Sequence, residues 1–515
     1  MKTILLTLSL FLTTLYLTAQ APSIEWQKSL GGSGLEEGYS IQQTIDGGYV
    51  VAGTSNSTDG DVTGNHGNKD YWLVKLSSTG AITWQKSLGG SGNDQAHSIQ
   101  QTTDGGYIVA GLSNSTDGDV TGNHGDYDYW VIKLDSTGNK VWEKSLGGSG
   151  SDIAYFIQEI TGGGYIVSGY SSSTDGDVIG NFGGWDYWVV KLSSTGTITW
   201  QKSLGGSGND QAHSIQQTID GGYIVAGSSN STDGDITNNL GSSDYWLVKL
   251  DSIGNITWQK SLGGSEGDGA YSIQQTTDGG YIVAGITNSI NGDITGNHGG
   301  GDYWVVKLDS IGTITWQKSL GGNDKDYGYS IQQTTDNGYI VIGRSNSVGG
   351  DVTSNIGGWD YWIVKLSISG AVIWEKSLGG SGSDYGYSIQ QTTDGGYIVV
   401  GYSWSIDGNV TGNNGGWDYW VVKLSATVGV NEVNEFNEFN EFNVYPNPTS
   451  SQITLKVKTD LIGDVYTIFD NMGKSVISGK IDAEHTVIEL DNLSNGIYLF
   501  SIGENSKQTF KVIKN

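Results

Sequence analysis

The chain is 515 residues long, carries a net charge of −28 and contains no cysteine. So acidic a chain lacks the basic face that nucleic acid or an anionic membrane requires, and without cysteine there is no disulfide, thiol nucleophile or thiolate metal site. Its 82 glycines follow no three-residue period and its 18 tryptophans recur regularly, which sets aside collagen and disorder.

The first element is a leader. Lys2, the apolar run from Ile4 to Leu17 and the segment Thr18-Ala19-Gln20-Ala21 form the charged region, apolar region and small-residue cleavage site of a secretory signal peptide over residues 1–21. No later stretch is apolar for long enough to span a membrane. Next, Ile24 to Leu30 reads as a lone strand. From there the chain repeats every 58 residues. Asp-Tyr-Trp begins at Asp70, Asp128, Asp186, Asp244, Asp302, Asp360 and Asp418, and a second tryptophan keeps the same beat from Trp26 to Trp374. A fixed period means one supersecondary unit copied into a solenoid, propeller or array.

One copy shows what that unit is. Ser98–Thr102 is a short polar strand, and Thr103-Asp104-Gly105-Gly106 is a tight hairpin. Tyr107–Gly111 is continuously apolar, as expected of a strand covered on both faces. After a loop of about a dozen residues, the strand Tyr129–Leu134 puts Trp130, Ile132 and Leu134 on one face. A Ser-Thr-Gly turn then leads into the outermost strand, Lys140–Leu146, whose outer face is polar. Seven four-stranded units predict an all-β fold, a seven-bladed β-propeller over residues 22–426. Ile24–Leu30 is expected to pair with Tyr419–Leu424 and so complete the last blade. The polar strand should line the central channel, and the 14 phased tryptophans should form the core between blades.

The loop before each Asp-Tyr-Trp and the loop after each Ser-Leu-Gly-Gly should emerge on one face. That face collects Asp59, Asp61, Asp117, Asp119, Asp175, Asp177, Asp233 and Asp235 from an Asp-Gly-Asp motif. Calcium takes six to eight oxygen ligands, so Ca²⁺ is the candidate cofactor of these loops; the alternative is that the acids are Asx-turns that satisfy loop backbone. The residue immediately before Asp-Tyr-Trp varies, and its aromatic copies Tyr127, Trp185, Trp359 and Trp417 are candidate ligand contacts, because an aromatic found in some blades only is not demanded by the fold. The competing reading is that they cap a neighbouring loop. No zinc pair, phosphate loop or nucleophile elbow is present in the sequence. His97 and His213 share one repeat position, which reads as inheritance. The copy-specific Glu159, Lys325 and Arg344 are the first places to look for an active site.

From Ser425 the pattern stops. Residues 427–443 contain a three-residue low-complexity run and read as a linker, and residues 444–515 as a small, separate β-sandwich-like domain. Asn443–Thr449 (Asn-Val-Tyr-Pro-Asn-Pro-Thr), Val465–Lys474, Leu493–Leu499 and Lys511–Lys514 occur in the order seen in type A C-terminal sorting domains of the Bacteroidetes type IX secretion system, and the segment resembles that family. The resemblance implies a sorting motif at Tyr445, Pro446, Asn447, Pro448, Gly473, Gly496 and Tyr498. It implies the outer-membrane export machinery as partner, and a cargo that is released or attached to the cell surface. Together these readings predict a monomeric, non-enzymatic secreted or surface propeller that binds an extracellular glycan or protein. The competing expectation is a secreted enzyme acting on glycans at the channel mouth.

Overall fold

The computed structural model describes residues 20–426, 442–445, 449, 451–457, 459–470, 474–494, 496–502 and 509–514. Residues 1–19 of the expected leader and most of the expected linker lie outside these residues. The chain divides into two units, one ending at Val430 and the other beginning at Asn431.

The first unit consists of seven four-stranded antiparallel sheets. In blade 1 the strands run Glu36–Gln43, Tyr49–Ser55, Asp70–Leu76 and Ile82–Leu88 from the channel outward. Blades 2 to 6 repeat this order. Blade 7 contains Asp384–Gln391, Tyr397–Ser403 and Asp418–Leu424, and takes Ile24–Leu30 as its fourth strand. The register runs from Ile24 opposite Leu424 to Leu30 opposite Tyr419, so the two ends of the repeat array are zipped into one sheet.

Packing between blades explains the tripeptide. Side chains alternate across a strand, so the third strand feeds two neighbours. Trp130, Ile132 and Leu134 enter the core shared with blade 1, and Tyr129 and Val131 the core shared with blade 3. Each tripeptide tyrosine also donates its hydroxyl to the carbonyl of the tryptophan one blade on, as Tyr71 does to Trp130 at 2.8 Å. The cycle closes with Tyr419 donating to Trp72, also at 2.8 Å. A seventh apolar cluster, joining Val51 and Trp72 to Val400 and Tyr419, fills the seam between blades 7 and 1.

Three expectations change. The innermost strand begins at Asp94 rather than Ser98, because a one-residue slip between Ala96 and Ser98 breaks the alternation on which sequence reading relies. Only half of the phased tryptophans are deep core. The tripeptide set is fully buried, whereas the second set is half-buried on the outermost strands, apart from Trp374. Trp84, for example, lies edge-on to Tyr107 of the next blade at 5.6 Å. The outermost strand's polar face is also more than a solvated edge, since Gln85 accepts the Trp72 indole hydrogen at 2.9 Å. The hairpin reading holds: Gly105 sits at φ +82°, and Asn337, which tolerates the left-handed region, replaces it in blade 6 at φ +64°.

The second unit pairs a three-stranded sheet (Phe442–Tyr445, Gln452–Val457, His485–Glu489) with a four-stranded one (Ser475–Lys480, Val465–Phe469, Gly496–Ile502, Thr509–Lys514). Ile453 and Leu455 from the first share a core with Ile468, Phe500 and Val512 from the second, as a sandwich requires. Its first strand starts at Phe442, inside the expected linker. Tyr445 lies 3.1 Å from Nδ1 of His485, Tyr498 donates to the Ser494 carbonyl at 2.7 Å, and Gly496 opens a strand. Pro446, Asn447, Pro448 and Gly473 lie outside the described residues.

Candidate functional site at the channel mouth

The slip in the innermost strand recurs in all seven blades, between Gly38 and Ser40, Ala96 and Ser98, Ala154 and Phe156, Ala212 and Ser214, Ala270 and Ser272, Gly328 and Ser330, and Gly386 and Ser388. A β-bulge leaves one residue unpaired and re-aims its side chain. Here the seven extra residues are Tyr39, His97, Tyr155, His213, Tyr271, Tyr329 and Tyr387, and all of them line the central channel. Glycine in the second strand permits the bulge: a Cβ on Gly111 would strike the Gln95 carbonyl and come to 2.8 Å from the Tyr71 hydroxyl.

The seven rings touch in sequence. Centroids are 5.4 Å apart from Tyr39 to His97, 4.8 Å from His97 to Tyr155 and again from Tyr155 to His213, and 5.1 Å from His213 to Tyr271. They continue at 5.1 Å to Tyr329 and 4.6 Å to Tyr387, which returns to Tyr39 at 5.1 Å. This girdle and the serines beside it enclose about 450 Å³. Burial pushes His213 down to about 4 and lowers His97 as well, so both imidazoles are neutral at neutral pH. Further along the channel the wall is polar, with Gln42, Gln100 and their counterparts. The expected polar lining of the channel is thus present at one end only. The signal that would have revealed the aromatic end is the 58-residue recurrence of Tyr or His at position 39.

Beside the girdle, the variable residue before Asp-Tyr-Trp meets the second residue of the innermost strand. In blade 7 Trp417 stacks on Tyr402 at 4.5 Å and 21°, with Tyr385 at 5.2 Å and the exposed Trp404 at 5.9 Å. In blade 6 Trp359 lies 5.8 Å from Tyr327 and 6.2 Å from Tyr385. Trp359 and Trp417 therefore form one aromatic crescent. Trp185 stands apart in blade 3, stacked on Tyr170 at 5.0 Å, and Tyr127 is half-buried in blade 2. Blades 4 and 5 place Ser243 and Gly301 at this position, and in blade 1 Lys69 pairs with Glu37 at 2.8 Å. The mouth is strongly asymmetric although the scaffold is not.

The Asp-rich loops are latches. Oδ1 of Asp59, Asp117, Asp175 and Asp233 accepts the amide of Ser33, Ser91, Ser149 and Ser207, each at 2.7 Å. Those amides hold the four carboxyls below their usual range. Asp61, Asp119, Asp177 and Asp235 accept the amides of Gly31, Gly89, Gly147 and Gly205 at 3.2–3.4 Å. Among the described residues no group of three or more acidic or histidine side chains is gathered to hold a metal.

The buried acids behave differently. Asp418 offers Oδ2 to the Asn414 amide at 2.7 Å, while Oδ1 is buried without a partner. Burial, then the nearby Glu36 and Asp61, pushes its carboxyl up to about 7. Burial likewise lifts Asp152, Asp186, Asp244, Asp326 and Asp360 to about 6. An acid whose folded pKa is raised binds its proton more tightly when folded, so its contribution to stability is lost as pH rises from about 4 through 6–7. The two lowered histidines act the other way, their contribution being lost as pH falls below the ordinary imidazole range, for His213 down to about 4, but the acids outnumber them. The melting temperature should therefore be several degrees higher at pH 5 than at pH 8. Asp418→Asn should raise it at pH 8 and leave it nearly unchanged at pH 5. A melting temperature that climbs steadily to pH 8 would contradict this reading.

Comparison with known proteins locates the export signal. Residues 443–515 match the family model described as a secretion system C-terminal sorting domain. That part of the chain is a type IX sorting domain, and it directs a secreted β-propeller protein to the cell surface or outer membrane. Over 400 residues the chain is 25% identical to the Regulatory protein FlaEY of Caulobacter vibrioides, covering 66% of this chain and 40% of that protein. The chain thus spans two-fifths of the length of that curated relative. Among solved structures it is similar to PorZ, an essential bacterial surface component of the type IX secretion system of Porphyromonas gingivalis, at 12% identity and TM-score 0.37 over 90% of this chain and 58% of PorZ. It is also similar to BamB from Moraxella catarrhalis, at 14% identity and TM-score 0.35 over 77% of this chain and 88% of BamB.

Proposed function

We propose that this protein is a non-enzymatic extracellular binding protein that grips a glycan at the aromatic end of its channel. The observation that carries the reading is the crescent of Trp359, Tyr385, Tyr402 and Trp417. Its two tryptophans occupy a repeat position that blades 1, 4 and 5 fill with Lys69, Ser243 and Gly301, no blade other than blade 7 combines all three aromatic positions, and the crescent stands beside a ready-made cavity. Concave sites lined by aromatic rings with a few polar groups are the usual form of a small-ligand site. Flat, rigid rings with a polar handle give contact area at low entropic cost. The sorting domain supplies delivery to the place where such ligands are met.

Isothermal titration of the intact protein against a panel of neutral and acidic oligosaccharides tests this. Saturable binding without product release is expected. Trp417→Ala should weaken it about tenfold or more, as loss of an aromatic anchor does, with Trp404→Ala having less effect. Turnover of a bound sugar would favour the enzyme reading instead, and binding indifferent to Trp417 would move the site elsewhere.

A further inference from the structure

We infer that Arg344 anchors an anionic group, so that the ligand of the channel mouth is an acidic polysaccharide whose charge is held by this guanidinium while its sugar rings lie on the neighbouring aromatic faces. The inference rests on the glycan-binding reading above and adds the ligand's charge.

Arg344 is the sole arginine in a chain with 54 acidic and 26 basic residues. It projects from the second strand of blade 6, opposite Tyr327 in the register. The same position holds Thr54, Leu112, Tyr170, Ser228, Ile286 and Tyr402 in the other blades, so the scaffold does not require a cation there. Its guanidinium carbon lies 4.6 Å from the ring centroids of Trp359 and Tyr385, 4.7 Å from Tyr327 and 5.6 Å from Tyr329, which lines the cavity. Aromatic faces attract a cation and leave the donor edge of the planar fork unused.

Among the described residues nothing satisfies that edge. Nε is buried without a partner, and among the described residues no acceptor, carboxylate or other, hydrogen-bonds the guanidinium. Elsewhere in the propeller the buried lysines are paired: Lys75, Lys133, Lys249, Lys307, Lys365 and Lys423 each meet an acid at 2.9–3.2 Å. Even Lys69, at the same mouth, is neutralised by Glu37. An arginine held flat by four rings, with its donors free, presents the geometry that a carboxylate or sulfate accepts in a bidentate pair.

The surroundings favour a polysaccharide over a peptide. An extended peptide binds by adding to a free sheet edge, and here the innermost edge is already occupied by side chains of the preceding blade. The Ile99 amide donates to the Ser40 hydroxyl at 3.3 Å and the Gln101 amide to Gln42 Oε1 at 2.6 Å, and the pattern recurs around the channel.

A single arginine makes the test direct. With ¹⁵N-arginine labelling, the full-length protein should show one Nε–Hε resonance. Hexagalacturonate should move that resonance saturably, while its methyl ester and cellohexaose should not. Arg344→Gln should weaken hexagalacturonate binding roughly tenfold or more and Arg344→Lys by less, because lysine keeps the charge but not the fork. Movement with a sulfated galactan oligosaccharide instead would also support the inference and identify the anion as a sulfate ester. Equal binding of hexagalacturonate and its methyl ester would overturn it, as would a resonance moved by hexaglutamate and by none of the sugars. If cellohexaose binds, loses affinity on Trp417→Ala and ignores Arg344→Gln, the glycan reading stands and the anionic anchor falls. If no sugar binds, both fall. The resonance is read on the unmutated protein, so the test survives a variant that fails to fold.

Discussion

Trp188→Ala should lower the stability of the propeller by ~3–5 kcal/mol, the range for deleting a fully buried indole. Trp188 is completely buried between blades 2 and 3, packs on Tyr129 at 4.6 Å, accepts that tyrosine's hydroxyl on its carbonyl and donates its own indole hydrogen to Gln201 at 2.8 Å. Alanine leaves a cavity in a clamped interface and takes the indole donor away from Gln201 Oε1. Domains are stable by only ~5–15 kcal/mol, so one such change removes a large fraction of the total. Trp200, the half-buried tryptophan of the same blade, offers the internal control. Its indole lies on Tyr223 at 5.7 Å on an outer edge, and Trp200→Ala should cost only ~1–2 kcal/mol. Urea denaturation of both variants measures the difference; equal losses would contradict the division of the tryptophans into core and edge.

Removing residues 443–515 should all but abolish appearance of the protein at the cell surface. The sorting domain is a separate unit with its own core, and the propeller's seven interfaces are closed without it. The truncated chain should therefore fold and accumulate in the periplasm rather than be degraded. Fractionation followed by immunoblotting reads this directly. Surface display at the normal level would contradict the role given to the domain, and loss of the protein from every fraction would show that the propeller depends on it.

The scaffold was legible because its determinants are local and repeated. Asp-Tyr-Trp marks a two-sided strand, Asp-Gly-Gly a hairpin that needs a left-handed residue, and the unpaired Ile24–Leu30 a strand in want of a sheet. The aromatic girdle was not legible for the opposite reason. A bulge erases the period-two alternation at His97 and its counterparts, and a position shared by tyrosine and histidine looks like drift until closure brings all seven rings together. Trp359 and Trp417 were singled out by their absence from other blades, and they do come together. Their partners Tyr327 and Tyr385 were hidden beyond the bulge on the innermost strands, and Tyr402 lies past the apolar run that marks the second strand. Arg344 stood out in sequence as copy-specific, but only its aromatic surroundings give it a chemistry. The acids of the Asp-Gly-Asp loops drew attention as oxygen ligands, and their neighbours in space turn out to be backbone amides of the facing loop.

The girdle, the crescent and the Arg344 site all exist only if the ring is closed by the first strand. Hydrogen–deuterium exchange tests that closure most directly. The amides of Ile24–Leu30 should be protected to the same degree as those of the internal outermost strands, such as Ile82–Leu88 and Ile198–Leu204. Exchange of residues 24–30 at the rate of an unstructured segment, with the internal strands still protected, would contradict the closed propeller.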